Sequence, residues 1–396
     1  MAAKGEYGRT CKIDVVVMRK KILILTLNDY ILYQPTILNL YDLLSVHADV
    51  TVVSFEPKFV TKQKEEKRNI KYLKMGTVGT ELFTKIDFII SKFTPLIKKV
   101  FPKFSHHYFF YNYYLPSVVA NYLQREKPQA DEVIAVDLAV LLVAQKHFGA
   151  VNFLSLEIDN NTNPNYKKVD THKIKSVFVQ SQMRYDYLFP GVSLKKFIVQ
   201  NSPVYKPGSP HNTERKDFIW AGAIDRRLAV LECIEFFNHY PNYKLVMKGG
   251  GDKKTRRIIE ERYGHLLRND RLIFNQEYLE ADSFVDFLAS FKIGFCFYSW
   301  SLIAASFNYQ SAPSGKLFMY LAAGTPVIAC NIPGFDFVKE FGAGELIDDY
   351  EPATIKRAIE KIESNYESYK QGCYKAASYF SFDNHVQPYI NHLLNS

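Results

Sequence analysis

Short apolar segments alternate with helix-like segments along most of the chain, and this alternation restricts the fold more than any other feature. Ile22–Leu27 is nearly all apolar and ends at Asn28 and Asp29, which is typical of a strand buried on both faces of a parallel sheet. Repeated alternation of strand and helix predicts an α/β fold with right-handed crossovers and a doubly wound sheet. The other strands predicted in the first half are Asp49–Phe55, Glu132–Val136, Val151–Leu156, Val177–Gln180 and Lys196–Val199, with helices such as Ile37–Ser45 and Leu138–His147 between them.

The alternation stops at residues 201–217, where three prolines, a glycine and polar residues predict an interdomain linker. It then begins again, and 396 residues are enough for two domains. Strands are predicted at Asp217–Ala221, Lys244–Met247, Arg271–Asn275, Ile293–Tyr298 and Pro326–Cys330, and helices at Ala229–His239, Asp252–Tyr263, Asp282–Phe291, Lys316–Ala323, Pro352–Ser364 and Asn384–Leu394.

We therefore expect two facing Rossmann-like, doubly wound domains, residues 18–205 and 206–380. A C-terminal helix in 381–396 could cross back to the first domain. Residues 1–17 precede a second methionine, Met18, and are interpreted as an N-terminal extension. Ligands of such sheets bind at the carboxyl ends of the strands, so the cleft between the domains is the expected site.

Charge is distributed unequally between the two halves. Residues 1–200 hold 28 Lys and Arg against 18 Asp and Glu, whereas residues 201–396 hold 22 against 23. An anionic partner is therefore expected at the first half. The five scattered cysteines predict reduced thiols in a cytoplasmic protein, and no apolar run reaches the length of about 18 residues that a membrane-spanning helix needs.

The segment from Ser311 to Gly334 carries the clearest chemical pattern. Ser314, Gly315 and Lys316 open a predicted helix, so backbone N–H groups, a hydroxyl and an ammonium meet at one helix N-terminus, a combination that suits a diphosphate. The alternative is simply a capped helix followed by a tight turn.

This segment resembles the donor-binding element of glycosyltransferases with the GT-B fold, in particular the family-4 type, which often reads S-x-K-L-F-E-Y-x-A-A-G-x-P-V-I. Phe218–Asp225 resembles the strand and glycine turn that open the donor domain of that family, and Gln180–Arg184 and Gln200–Pro203 resemble the end of its first domain. The residues that match the longer pattern in order are Lys316, Leu317, Phe318, Tyr320, Ala322, Ala323, Gly324, Pro326, Val327 and Ile328.

The resemblance implies a nucleotide-sugar site made by the second domain, a retaining reaction and no metal. The donor-binding residues implied are Gly222, Arg226, Arg227, Lys248, Gly249, Gly250, Ser314, Gly315, Lys316 and Leu317. Two departures stand out, because the paired glutamates of the family fall at Ser311 and Met319. In relatives the first glutamate lies near the transferred sugar and the second binds the ribose. The usual arginine after the first glycine turn is Ala223, and Arg226 and Arg227 could replace it or belong to a solvated turn.

A second glycine-rich turn, Lys248–Gly251, follows a predicted strand. It either allows a phosphate or sugar to approach the backbone or is a flexible turn. Neither G-x-G-x-x-G with a ribose-binding acid nor G-x-x-x-x-G-K-[ST] occurs, which argues against a dinucleotide oxidoreductase and a P-loop NTPase. The adjacent His106 and His107 cannot converge on one metal ion from a regular element, and no cysteine cluster exists.

Acidic residues after the strands of the first domain are the candidates for the acceptor side. Asp137 and Glu157 are the proposed catalytic pair, with Asp159 close by. The alternative roles are an N-cap for Asp137 and a hydrated loop for Glu157.

Residues 87–114 interleave lysines with aromatic and aliphatic side chains. Such a stretch favours contact with a membrane surface, although a helical subdomain with inward-facing aromatics would give the same pattern. Nucleic acid is not expected, since no recognition module accompanies the charge.

The hypothesis from the sequence is a glycosyltransferase that moves a sugar from a nucleotide-sugar to a glycan acceptor, lipid-linked, in bacterial-type surface polysaccharide or glycan assembly at the cytoplasmic membrane face. The alternatives are a sugar-nucleotide epimerase of the same fold and a catalytically impaired scaffold.

Overall fold

The computed structural model describes residues 19–29, 31–56, 67–92, 110–158, 164–206, 215, 217–277, 279, 281–311 and 314–396. The predicted N-terminal extension, most of the predicted linker, His106 and His107, Asp159 and the centre of the lysine-rich stretch lie outside these residues.

Seven parallel strands form the first sheet in the order β3-β2-β1-β4-β5-β6-β7. The first strand, β1, lies inside the sheet. β2 and β3 follow on one side of it and β4 to β7 on the other, which is the doubly wound arrangement predicted. The strands are β1 (Lys20–Leu25), β2 (Ala48–Phe55), β3 (Ile70–Leu73), β4 (Glu132–Val136), β5 (Val151–Leu154), β6 (Ile174–Val179) and β7 (Lys196–Ile198).

Six parallel strands form the second sheet in the order β10-β9-β8-β11-β12-β13. Its order reverses between β8 and β11, so the loops after these two strands diverge and leave a crevice at the carboxyl edge. The strands are β8 (Phe218–Ala221), β9 (Leu245–Lys248), β10 (Leu272–Asn275), β11 (Ile293–Cys296), β12 (Val327–Cys330) and β13 (Gly344–Ile347).

Helices cover both faces of each sheet, so each sheet separates two apolar cores. Ile24 in β1 and Phe295 in β11 are fully buried, as expected for central strands of covered parallel sheets. The helices are α1 (Pro35–Ser45), α2 (Thr77–Lys92), α3 (Leu115–Glu126), α4 (Asp137–Phe148), α5 (Gln182–Leu188), α6 (Val230–His239), α7 (Lys253–Arg268), α8 (Ala281–Leu288), α9 (Trp300–Ala305), α10 (Phe307–Gln310), α11 (Gly315–Ala322), α12 (Phe337–Glu340), α13 (Pro352–Ser364), α14 (Tyr366–Tyr379) and α15 (Phe382–Asn395).

The last helix, α15, packs on the first domain. Phe382 and Tyr389 are fully buried in one core of that domain, and the Tyr389 ring lies 5.2 Å from that of Phe178 in β6. The Phe382 N–H donates to the carbonyl of Pro203 at 3.2 Å, where the chain leaves the first domain. The chain therefore crosses between the domains twice.

Among the described residues, no helix is long and apolar enough to cross a membrane. In the same part of the chain Cys233, Cys296, Cys330 and Cys373 are buried free thiols.

Candidate donor-binding site

Two glycine turns meet where β8 and β9 end. The Gly222 N–H donates to the Lys248 carbonyl at 2.9 Å, and the Ile224 N–H donates to the Gly250 carbonyl at 2.8 Å. Gly222 and Gly249 have positive φ values of 109° and 145°, and a Cβ on Gly249 would overlap the Gly222 carbonyl. Only glycine at position 249 permits this approach, and the two glycine turns form the floor of the crevice.

The N-terminus of α11 lies beside this floor. Ser314 is its N-cap residue and Gly315 begins the helix, as the sequence predicts. The Lys316 side chain then runs along Gly222, since a Cβ on Gly222 would lie 3.5 Å from Lys316 Cδ. A cation and the free N–H groups of a helix N-terminus are thus placed at the glycine turn, which is favourable for an anion.

The ammonium of Lys316 occupies an aromatic niche. Its Nζ lies 4.4 Å from the centre of the Trp220 ring and 6.0 Å from that of Tyr298. Nζ is covered by protein atoms and has no hydrogen-bond partner among the described residues. A desolvated cation–π contact contributes roughly 2 kcal/mol, which offsets only part of the cost of a buried, unpaired ammonium. The niche therefore favours an anionic partner for Lys316.

Ser314 connects the helix N-terminus to the same niche. Burial raises the pKa of Tyr298, and a hydrogen bond with the Ser314 side chain opposes this rise. The neighbouring Gly315 lies against Asn201, whose Oδ1 accepts a hydrogen bond from Thr36 in α1 at 2.8 Å. The donor-binding candidate thus lies at the boundary between the two domains.

The two predicted arginines follow the Gly222 turn but differ in their partners. Arg227 donates from Nε and Nη2 to Asp225 Oδ2 at 2.9 and 2.6 Å, and these bonds lower the pKa of the Asp225 carboxyl. Arg226 is exposed and its guanidinium makes no ion pair with another described residue, while its charge helps to lower the pKa of Asp252. Arg226 is thus the more available of the two for a ligand.

Lys248 has a different orientation from that expected of a phosphate-binding lysine. Its ammonium donates to Asn275 Oδ1 at 2.7 Å and to the Glu277 carbonyl, and it lies 5.1 Å from the centre of the Phe287 ring. Burial lowers the pKa of Lys248, and Glu277 opposes this. The side chain is engaged at the end of β10, whereas its carbonyl holds Gly222.

Asp137 lies at the end of β4 in a left-handed conformation, with φ of 62°. Its Oδ1 accepts hydrogen bonds from the N–H groups of Leu156 and Glu157 at 2.7 and 3.0 Å. Val136, and not Asp137, is the N-cap residue of α4, so the N-cap alternative is wrong. A non-glycine residue in this region carries strain that is common at functional sites, and here its carboxylate anchors the loop that carries Glu157.

Glu157 faces the second domain across the cleft. Its Oε2 accepts a hydrogen bond from the Asn308 side-chain amide at 2.7 Å. The same amide's Oδ1 accepts from Ile158 N at 3.1 Å and from Arg184 Nη2 at 2.7 Å. Asn308 lies in α10, between the Gly222 turn and the first domain, and no motif in the sequence identifies it.

Arg184, known from the sequence only as part of a resemblance, is the most buried cation of the cleft, with 1% of its surface exposed. It also donates from Nη2 to the Leu156 carbonyl at 2.8 Å. Burial lowers the pKa of Arg184, while the charges of Glu157 and Asp137 oppose the shift. Two carboxylates of the first domain are thereby balanced by one guanidinium.

No protein-family model matches the chain, and no curated protein matches its sequence. Solved structures do. The chain is similar to Escherichia coli trehalose-6-phosphate synthase bound with UDP-2-fluoro glucose, with a TM-score of 0.67 and 10% identity over 95% of this chain and 99% of that chain.

It is similar to sucrose-phosphate synthase from Thermosynechococcus elongatus, with a TM-score of 0.61 and 13% identity over 95% of this chain and 97% of that chain. These neighbours are GT-B glycosyltransferases. The chain has the GT-B fold.

A third neighbour is the pneumococcal O-GlcNAc transferase GtfA in complex with UDP and GlcNAc, with a TM-score of 0.55 and 12% identity over 71% of this chain. This chain spans 60% of the length of GtfA. Identities this low establish the shared GT-B fold, and the family-4 type remains a prediction.

Two positions of this GT-B chain differ from the family pattern in a way that the structure explains locally. Ser311 is buried and its Oγ donates to the Phe307 carbonyl at 2.8 Å, so it closes the short helix α10. Met319 is half-buried and packs against one core of the second domain, as the fully buried Leu317 also does. Leu317 therefore shapes the site through packing.

Within the described part of the GT-B chain, no three His, Cys, Asp or Glu side chains come together as a metal site would require. The cations next to the Gly222 turn are side chains of the protein itself, namely Lys316, Arg226 and Arg227.

Proposed function

We propose that the chain is a glycosyltransferase that binds a nucleotide-sugar through its second domain and transfers the sugar to a glycan acceptor held by the first. The observation that carries the proposal is the covered, unpaired Lys316 ammonium at the N-terminus of α11, beside the Gly222–Gly249 floor. The GT-B fold adds support, because its neighbours here include structures with UDP or a UDP-sugar bound.

The donor diphosphate would rest on the glycine floor, with its oxygens facing the N–H groups of Gly315 and Lys316. The flexible four-carbon stem of Lys316 would bring the ammonium from the Trp220 ring to a phosphate oxygen. As the bond between sugar and phosphate breaks, negative charge grows on the diphosphate, and this ammonium and the helix N-terminus stabilise it. We propose that the reaction needs no metal for this reason and that it retains the anomeric configuration.

On the acceptor side, Glu157 would accept the proton or a hydrogen bond of the attacking hydroxyl. Asp137 would act through Glu157, because its carboxylate holds the backbone N–H groups of Leu156 and Glu157. Asp137 is accordingly a positioning residue, and Glu157 is the proposed catalytic carboxylate.

A lipid-linked acceptor is the proposed class, and the protein would work in bacterial-type surface polysaccharide or glycan assembly. The support is a set of exposed apolar side chains on α2 and on the neighbouring helical turn at Phe110–Tyr114. We call them the α2 surface: Leu82, Phe88, Ile89, Tyr111 and Tyr113. The Tyr114 hydroxyl donates to the Gly76 carbonyl at 3.1 Å and joins these two segments. Apolar side chains on the more basic half of a chain suit an anionic lipid surface, so the protein would bind the cytoplasmic membrane face peripherally.

A thermal-shift screen against nucleotides and nucleotide-sugars tests the donor site. A ligand that binds only the folded state raises the melting temperature, and we expect a nucleoside diphosphate and its sugar to do so in the wild-type protein and not in K316A. Transfer is then assayed with the best donor and lipid-linked glycans. A melting temperature that no nucleotide raises would contradict the proposal.

A second candidate is a catalytically impaired GT-B protein that binds the donor without turnover. Ser311 and Met319 favour it, because neither side chain can replace a carboxylate near the sugar or ribose. Tight donor binding without transfer to any acceptor would support this candidate. Epimer formation from a nucleotide-sugar alone would instead indicate an epimerase.

A further inference from the structure

The side-chain amide of Asn308 joins the two domains through three hydrogen bonds. Its Nδ2 donates to Glu157 Oε2 at 2.7 Å, and its Oδ1 accepts from Ile158 N at 3.1 Å and from Arg184 Nη2 at 2.7 Å. An amide is suited to this task, because one side donates to a carboxylate while the other accepts from a guanidinium.

A second contact supports the same junction. The Tyr187 ring of α5 stacks on the Phe307 ring of α10 at 3.8 Å with an angle of 5° between the planes. Phe307 and Asn308 are adjacent, so a helix of only four residues carries both contacts to the first domain. The Ser299 N–H, just before α9, donates to the Arg227 carbonyl at 3.0 Å. The segment from Ser299 to Ser311 therefore connects the donor turn to the acceptor loop.

The network also contains a polar atom without a partner. Arg184 Nε is buried and has no hydrogen-bond partner among the described residues. Nη2 of the same guanidinium binds Leu156 and Asn308, so these two bonds are the side-chain hydrogen bonds that orient this cation among the described residues.

We propose that Asn308 is a positioning residue that holds the Glu157 carboxylate and the Arg184 guanidinium in place and keeps the two domains closed over the cleft. The proposal rests on the proposed function in treating Glu157 as the acceptor-side carboxylate. Closure itself needs no substrate and can be measured without one.

The variant N308D provides the sharpest test, because it replaces the donating amide by a carboxylate facing Glu157. Two carboxylates at this distance repel each other when both are ionised, so one pKa of the pair rises. Above that pKa they repel each other, and below it a shared proton restores the hydrogen bond. Among the residues that the structure describes, the other titratable groups that face this network are Arg184, Asp137, Tyr166, Tyr298 and Tyr309. A guanidinium stays protonated in proteins, and burial raises the pKa of Tyr298 and of Tyr309 further above the pH range tested.

The radius of gyration is measured by small-angle X-ray scattering at about pH 7.5 and about pH 5, within the range that the raised pKa of a carboxylate pair can span. We expect N308D to be more extended than the wild type at the higher pH and to return toward it at the lower pH. N308A is expected to be extended at both. The matched control is Q310A, which removes a hydrogen bond from Gln310 to Ile303 within the same segment and the same domain. If all four proteins have one radius at both pH values, Asn308 does not hold the domains and the proposal is wrong.

A second readout separates positioning from simple stability. In the transfer assay, N308A should lower kcat about 10- to 100-fold and leave the KM for the donor nearly unchanged, because the donor-binding residues are untouched. Equal losses in N308A and Q310A would contradict a positioning role. An absence of transfer in the wild type would count against the proposed function and leave the scattering result valid.

Discussion

The ammonium of Lys316 lies 4.4 Å from the centre of the Trp220 ring and donates no hydrogen bond to any described residue. A lysine that served packing alone would extend its ammonium to solvent. Here the ammonium lies under cover at a helix N-terminus, which is costly for the fold and useful for binding an anion.

Replacing Lys316 by methionine should separate these two effects. K316M keeps the contact with Trp220 and removes the buried charge, so we expect a melting temperature equal to or above that of the wild type. Affinity for the nucleotide found in the screen should fall by roughly tenfold or more, because a charge-assisted hydrogen bond is lost. Calorimetric titration measures the affinity, and K339M, on the surface of the second domain, is the control. A K316M protein that binds as tightly as the wild type would exclude Lys316 from the donor site.

The Gly222–Gly249 floor predicts a large difference in stability between alanine variants at two adjacent positions, 249 and 250. G249A places a Cβ against the Gly222 carbonyl at a φ of 145°, and we expect it to lower the free energy of unfolding by roughly 2 kcal/mol or more. No atom lies within 4 Å of a Cβ on Gly250, so G250A should change the free energy of unfolding by less than about 1 kcal/mol. Urea denaturation of both variants measures the difference. Equal midpoints would show that the turns do not require this close approach.

Glu132 predicts a pH dependence of stability in the first domain. Its carboxylate is buried and accepts hydrogen bonds from Asn152, Lys175 and Ser396 at 2.7, 2.9 and 2.8 Å. Burial raises the pKa of Glu132. These hydrogen bonds and the charge of Lys175 lower it by more than burial raises it, so the net shift is downward. The stabilisation is therefore complete above the ordinary pKa of 4.5 and is lost as the pH falls through the lower pKa of the folded protein.

E132Q should accordingly be less stable than the wild type at neutral pH, by roughly 1–3 kcal/mol. The two proteins should approach each other in stability as the pH falls below 4.5. Thermal unfolding between neutral and acidic pH measures this difference in stability, and E261Q on the surface of α7 is the control. A difference in stability that is the same at every pH would mean that the ionised Glu132 carboxylate stabilises the fold no more than its neutral form does.

The α2 surface should bind anionic lipid. Leu82, Phe88 and Ile89 are 53%, 53% and 55% exposed, and changing all three to serine should weaken association with vesicles containing about 30% anionic phosphatidylglycerol by roughly tenfold or more. Val46 is 68% exposed elsewhere on the first domain, and V46S is the control. Cosedimentation measures binding. If the triple variant binds as the wild type does, the surface has another role.

Patterns that repeat within a few residues allow much of the fold to be predicted. β4 at Glu132–Val136 and α13 at Pro352–Ser364 have the predicted limits, because an uninterrupted apolar run and a regular helical stripe identify them. β3 is missed, since Ile70–Leu73 is an edge strand with a lysine at its second position and only Leu73 buried. α14 is missed because its buried face consists of small residues, Gly372, Cys373, Ala376 and Ala377.

The same limit applies to the candidate site, because sequence predicts the residues that lie in a local pattern and misses those that do not. Ser314, Gly315 and Lys316 are predicted as site candidates because one helix start contains all three. The hydrogen bond between Arg184 and Asn308 joins residues that are 124 positions apart in the sequence. An amide in a four-residue helix has no local pattern that indicates its partner. Lys248 shows the reverse. Its position at the end of β9 follows from the sequence, while the hydrogen bond of its ammonium at the end of β10 does not.

The position of α15 has a consequence for how the protein is made. Five residues of α15 complete a core whose other members lie in the first domain, namely Phe382, Val386, Tyr389, Ile390 and Leu393, yet they follow the whole second domain in the sequence. During synthesis the first domain must remain incomplete, with part of its apolar core uncovered, until the whole second domain has been translated. Until then the apolar surface that α15 covers is exposed, and exposed apolar surface of this kind makes a folding intermediate prone to aggregation.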